Sequence, residues 1–87
     1  MKDRNLKKGL ETINLAIDLD DNIAINHYIK GRICQELIDF PGSIISYKKY
    51  LSLERRVDGN DTYRRAQHNL SICYFTIRNF KEGSRLY

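Results

Sequence analysis

The chain has no tryptophan, one proline, one methionine and two cysteines in 87 residues. Cys34 and Cys73 are too few for a disulfide framework or a four-ligand zinc site, so they read as two small core hydrophobes. One proline and five glycines exclude a linker or low-complexity segment. No apolar run approaches the roughly 20 residues of a membrane-spanning helix. Met1-Lys2-Asp3-Arg4-Asn5 leads into no apolar stretch of a secretory signal. On those grounds the expected location is cytoplasmic.

Catalytic constellations are missing as well. There is no Gly-rich phosphate loop, no G-x-S-x-G, no H-E-x-x-H and no pair of carboxylates on one helical face. His27 and His68 have no acidic residue at helical spacing to orient them. Asp20-Asp21 and Asp58 with Asp61 lack the loop ligands and terminal Glu of a calcium-binding hand. The chain therefore reads as a non-enzyme with no cofactor, no metal site and no catalytic residues.

What is present is an ordinary globular balance, 41% hydrophobic and 30% charged, in a length that allows one domain at most. Apolar residues recur at steps of three and four, so the fold class is all-α. Five helices are expected, near 3–19, 23–38, 41–56, 62–77 and 80–87. Leu6, Leu10, Ile13, Ala16 and Ile17 share a face of the first; Ile25, Ile29, Ile33 and Leu37 share one of the second. In the third, Ile44, Tyr47, Leu51 and Tyr50 point inward. Asn22, Asp39, Asp61 or Asn60, and Asn79 are the expected N-caps of the second to fifth helices. Pro41 fits the first turn of the third helix, where its missing N–H costs nothing.

These helices repeat. Moved back by 34 residues, Ser43 to Glu54 falls on Gly9 to Asp20: Ser43 on Gly9, Ile44 on Leu10, Tyr47 on Ile13, Leu51 on Ile17. Moved forward by 40, Gly31 falls on Ser71, Cys34 on Tyr74, Asp39 on Asn79, Phe40 on Phe80, Ser43 on Gly83 and Tyr47 on Tyr87. A helix pair with a period near 34 residues resembles the tetratricopeptide repeat. The matching positions are Gly31, Phe40, Ser43 and Tyr47 in the middle copy, and Leu70, Ser71, Tyr74, Gly83 and Tyr87 in the last. His27 and Gln67 stand where that family has Trp, Lys30 where it has Leu, and Tyr50 where it has a small residue.

The resemblance implies a short right-handed solenoid of stacked antiparallel helix pairs. It divides the chain into a partial repeat at 3–22, a full one at 23–57 and a partial one at 61–87. It also implies a longer array, since both ends fall mid-unit. NFKEGSRLY is similar to the stretch that leads bacterial arrays of this kind into glycosyltransferase-like domains. Asn79, Phe80, Gly83 and Tyr87 carry that match, and any such activity would lie outside these residues.

In the family, the first helices of successive repeats line a concave face where peptides lie. Carried onto this chain, that face holds Tyr28, Arg32, Gln35, Arg65, His68, Asn69, Ile72 and Phe75, flanked by Ile25, Glu36 and Thr76. Arg, aromatic and amide groups are the types enriched in binding hot spots. The subclass that clamps chaperone carboxylates matches only at Asn69. The implied function is a scaffold for a protein or peptide partner, with self-association through uncapped ends as a further expectation. The alternative reading is a helical-repeat nucleic-acid binder, given a net charge of +4.

Two packing expectations follow. Gly31 costs about 1 kcal/mol in a helix interior relative to Ala, so another element should approach it closely, with Ser43 as its small partner. Tyr50 should wedge between the third and fourth helices, its hydroxyl partnered, and the longer connection before Tyr63 should let those helices stand farther apart than the first and second.

Overall fold

The computed structural model describes the backbone of residues 2–54 and 60–85 and the side chains of residues 5–54 and 60–79. Every regular element among the described residues is α-helix: α1 (Lys2–Leu19), α2 (Ala24–Glu36), α3 (Phe40–Leu53) and α4 (Asp61–Arg85). Each helix packs mainly on its neighbour in sequence, most extensively α2 on α3, then α3 on α4, then α1 on α2. The radius of gyration is 14.0 Å, against about 12 Å for a compact domain of this length. The extents of 43 × 34 × 19 Å describe a slab about two helix diameters thick.

The α1–α2 turn is closed by side chains. Asp20 Oδ1 accepts from the Asn22 N–H at 3.0 Å. The buried His27 ring sets its Nε2 2.7 Å from the Asp21 carbonyl oxygen; since a carbonyl only accepts, Nε2 carries the proton. Asn22 is not the cap of α2. That position belongs to Ile23, which has no side-chain cap bond; the Asx turn holds Asn22 by its backbone N–H, one residue ahead of the cap.

Helix α2 stops at Glu36, two residues before the expected end. Ile38 has φ 63°, and the Asp39 N–H reaches the Cys34 carbonyl at 2.8 Å while the Ile38 N–H reaches that of Gln35 at 3.1 Å. These bonds form a Schellman closure with a β-branched residue where glycine is usual. Asp39 then caps α3 as expected, accepting from the Gly42 N–H at 3.1 Å, with Pro41 in the first turn. Helix α3 begins at Phe40 and ends at Leu53, since Glu54 is extended; residues 55–59 lie outside the described residues.

The core is built on the stripe Ser43, Ser46, Tyr47 and Tyr50 of α3, all buried and spaced by three and four. Tyr28 enters from α2, Ala66 and Cys73 from α4, and Ala24, Phe40, Ile44, Leu51, Tyr63 and Leu70 pack around them. The rings of Tyr47, Tyr28, Tyr50 and Tyr63 run in a chain, with successive centroids 5.9, 5.5 and 6.4 Å apart in tilted geometry.

Gly31 and Ser43 meet where α2 and α3 cross, as their small size leads one to expect. The Ser43 hydroxyl donates to the Gly31 carbonyl at 3.0 Å, and the same hydroxyl lies beside Cys73 of α4, where it opposes the rise that burial imposes on the thiol. Three helices thus share one small polar contact. Both cysteines are buried and free. Desolvation pushes both thiols up, which holds them in the unreactive protonated form.

Helix α4 is one element where two were expected. It runs through Asn79 without a turn, so Asn79 caps nothing and the fifth helix is a continuation of the fourth as far as Arg85; Leu86 and Tyr87 lie outside the described residues. Local chemistry explains it. The positions of Pro41 and Gly42, which separate α2 from α3, are held forty residues on by Lys81 and Glu82, both good helix formers.

Asn60 begins α4, its side-chain oxygen accepting from the Tyr63 N–H at 3.1 Å. Tyr50 is wedged at the α3–α4 seam, and its hydroxyl is partnered by the Asn60 side chain. The α3–α4 contact is more extensive than the α1–α2 contact. Ala66 and Cys73, both small and buried, share the core cluster with it.

Candidate partner-binding face

A phenolic hydroxyl organises the face formed by α2 and α4. Tyr47 is fully buried as a ring, yet its hydroxyl reaches the gap between those helices. It donates to Gln35 Oε1 of α2 at 2.8 Å and accepts from Asn69 Nδ2 of α4 at 3.4 Å. One side chain of α3 therefore ties two surface amides from two different helices, which sets α2 and α4 side by side with α3 behind them. Burial pushes the Tyr47 pKa up to about 12; the Asn69 bond and, less, the charge of Arg32 oppose that rise.

Around this centre the eight expected residues divide. Gln35 and Asn69 are half-buried at the seam, and Arg32 stands exposed beside it. On α4, Arg65 is exposed one turn before Asn69 and His68 directly before it, with Ile72 exposed one turn after it and Phe75 nearly two. Spacings of three, four and seven put Arg65, Asn69 and Ile72 on one side of that helix, with His68 and Phe75 along its outer edge. Thr76 is half-buried, its hydroxyl donating to the Ile72 carbonyl at 2.8 Å.

Tyr28 does not join the face. It is 6% exposed, drawn into the core by the rings of Tyr47 and Tyr50. The sequence reading missed Tyr47 as the organiser, because its apolar ring at a core position concealed where the hydroxyl would emerge. The relevant signal was the polarity of that residue: a buried tyrosine needs a partner, and Gln35 and Asn69 were the amides within helical register of it.

The face continues onto the other side of α2. Leu6, Ile29, Arg32, Ile33 and Glu36 line a shallow cleft of ≈ 230 Å³ between α1 and α2. Its floor is aliphatic, and its rim carries one cation and one anion. Arg32 borders both this cleft and the Tyr47 seam, so it is the residue placed to serve both. Among the described residues no three His, Cys, Asp or Glu side chains gather to hold a metal ion, and no helix is long and apolar enough to cross a membrane. Comparison with protein-family models, with curated proteins and with solved structures finds no match to this chain.

Proposed function

We propose that this chain is a non-catalytic helical-repeat scaffold of the tetratricopeptide kind, which holds an extended peptide across α2 and α4. The observation that carries the reading is the bridge from Gln35 through the Tyr47 hydroxyl to Asn69. It aligns the first helices of two successive units into one surface. That surface offers amides for the peptide backbone, Arg32 and Arg65 for acceptors, and Ile72 and Phe75 for an apolar side chain. Such a mixture of a few anchors and oriented polar groups is what peptide grooves use.

A displayed random-peptide library panned on the immobilised 87-residue chain tests this. Selected peptides should bind the parent and lose about tenfold or more in affinity to Arg32→Ala and Phe75→Ala, changes at exposed positions. Binding should depend weakly on salt. A library that yields no binder sensitive to these substitutions overturns the proposal. So would tight binding of random-sequence single-stranded RNA that weakens steeply with salt, which is the signature of the nucleic-acid reading.

A further inference from the structure

Helix α4 leaves open a flank that α2 covers. In α2 the stripe His27, Gly31 and Cys34 is buried, with Gly31 against Ser43 and Tyr47 of α3. Forty residues on, the same stripe is Gln67, Ser71 and Tyr74, and all three are exposed. At 100° per residue it lies on the side of α4 away from Asn69 and Ile72 and adjoins the peptide face only at its outer edge, where Phe75 stands one turn beyond Ser71. Ser71 keeps the small size of Gly31, and its hydroxyl is turned back onto its own helix at the Gln67 carbonyl, 3.1 Å away.

The chain carries a helix of the complementary register at its other end. Helix α1 repeats α3, with Gly9 in the place of Ser43 and Ile13 in the place of Tyr47. Leu10, Asn14 and Ile17 run along one side of α1 and are only half-buried, while Leu15 and Leu19 are exposed. Charge agrees with register. From Gly9 to Asn22, after Lys7 and Lys8, the charged residues are Glu11, Asp18, Asp20 and Asp21; from Asp61 to Asn79 they are Asp61, Arg64, Arg65 and Arg78, so the first stretch is acidic and the second is net basic. An antiparallel pairing that sets Ser71 over Gly9, as Gly31 sits over Ser43, brings the N-terminal end of α4 to the acidic end of α1. There Asp18, Asp20 and Asp21 line an open cleft with Ile17 and Leu19.

We infer that the open flank of α4 docks α1 of a second copy of this chain, recreating the α2–α3 pair between molecules. The contact uses different surfaces on the two copies, so it is head-to-tail and propagates unless the rotation closes a ring. Opposite charges at its edge speed and orient the encounter and make it sensitive to salt.

A charge exchange tests the pairing by sedimentation velocity across a wide concentration range, with helicity followed by circular dichroism to confirm folding. The parent should associate, and added salt should weaken the association. Arg64→Glu with Gln67→Glu should weaken it by about tenfold or more, as should Asp18→Lys with Asp21→Lys in a separate chain. Mixing these two variants should restore association, since each then meets its opposite. Ser71→Trp, a change at an exposed site, should abolish it in any background. A parent that stays monomeric throughout overturns the inference, as does association indifferent to Ser71→Trp or not restored by mixing. Peptide binding is read separately through Arg32, which lies on α2 away from this flank.

Discussion

The ring of Tyr47 occupies the space that a side chain at Gly31 would need. A Cβ built there would sit 2.7 Å from Tyr47 Cε1 and 2.8 Å from Cδ1, closer than carbon atoms pack. The ring cannot turn aside, because it is fully buried and its hydroxyl is held at both Gln35 and Asn69. Gly31→Ala gains up to about 1 kcal/mol of helix propensity and still should destabilise the chain, by about 1–3 kcal/mol net. Urea denaturation should show a lower midpoint with an unchanged slope. Gly31→Leu should lower it further. A midpoint that rises on Gly31→Ala would mean that α2 and α3 do not meet in this way.

At Ile38 the expected change has the opposite sign. A β-branched side chain at φ 63° costs roughly 1–2 kcal/mol relative to glycine, and at 73% exposed it recovers little by burial. Ile38→Gly should stabilise the protein by about 1 kcal/mol, read as a higher thermal midpoint. Ile38→Val should leave it unchanged. If Ile38→Gly is neutral or destabilising, the Schellman closure between Cys34 and Asp39 is not what ends α2.

Tyr47 should make the fold sensitive to alkali. Its pKa is pushed from the ordinary phenolic value near 10 to about 12 by burial. Below the unfolded value the tyrosine is neutral in both states and its contribution is whole. Between the two values the unfolded chain sheds the phenolic proton and the folded chain keeps it. Stability therefore falls as pH rises through that window, by at most about 1.4 kcal/mol per pH unit from this residue. Tyr50 is shifted in the same direction, chiefly by desolvation. Denaturation midpoints measured from neutral pH upward should start to drop once the unfolded thiols of Cys34 and Cys73 ionise, near pH 9, and fall more steeply from about pH 10; Tyr47→Phe should flatten part of the drop above about pH 10. The same variant should cost about 1 kcal/mol at neutral pH through the lost bonds to Gln35 and Asn69.

Tyr50→Ala should be severe, about 3–5 kcal/mol. The ring is fully buried between Tyr28 and Tyr63, and Ala66 opposite is too small to fill the void. Tyr50→Phe separates the ring from its hydroxyl and should cost no more than about 1–3 kcal/mol, the price of leaving the Asn60 side chain without its partner. Calorimetry on both variants checks the ratio.

Features set by spacing and small size could be read from the sequence. Gly31 and Ser43 identified the α2–α3 crossing because only a close approach accounts for a glycine in mid-helix. Asp39 and Pro41 marked the start of α3, and Asn60 was one of two residues considered for the start of α4. Other features escaped for physical reasons. Ile38 concealed the end of α2, because a β-branched residue in the left-handed region is a strained exception that only tertiary packing sustains. The break expected at Asn79 came from extending the repeat, whereas Lys81 and Glu82 in place of Pro41 and Gly42 leave the helix nothing to stop it. Register alone points Tyr28 to the face, while the rings of Tyr47 and Tyr50 hold it in the core. Ser46, a polar residue on the buried stripe of α3, gave no signal at all.

Helix α1 is attached differently from the rest. The other three helices are bound together at two points, the Ser43 hydroxyl and the Tyr47 hydroxyl, whereas α1 rests on α2 through the smallest of the three contacts. Its amides should therefore exchange with deuterium sooner than those around Tyr47, through openings that never require the whole chain to come apart. The molecule would then have two thermodynamic compartments: a slow three-helix block, and a first helix in its own rapid equilibrium with the surface it covers.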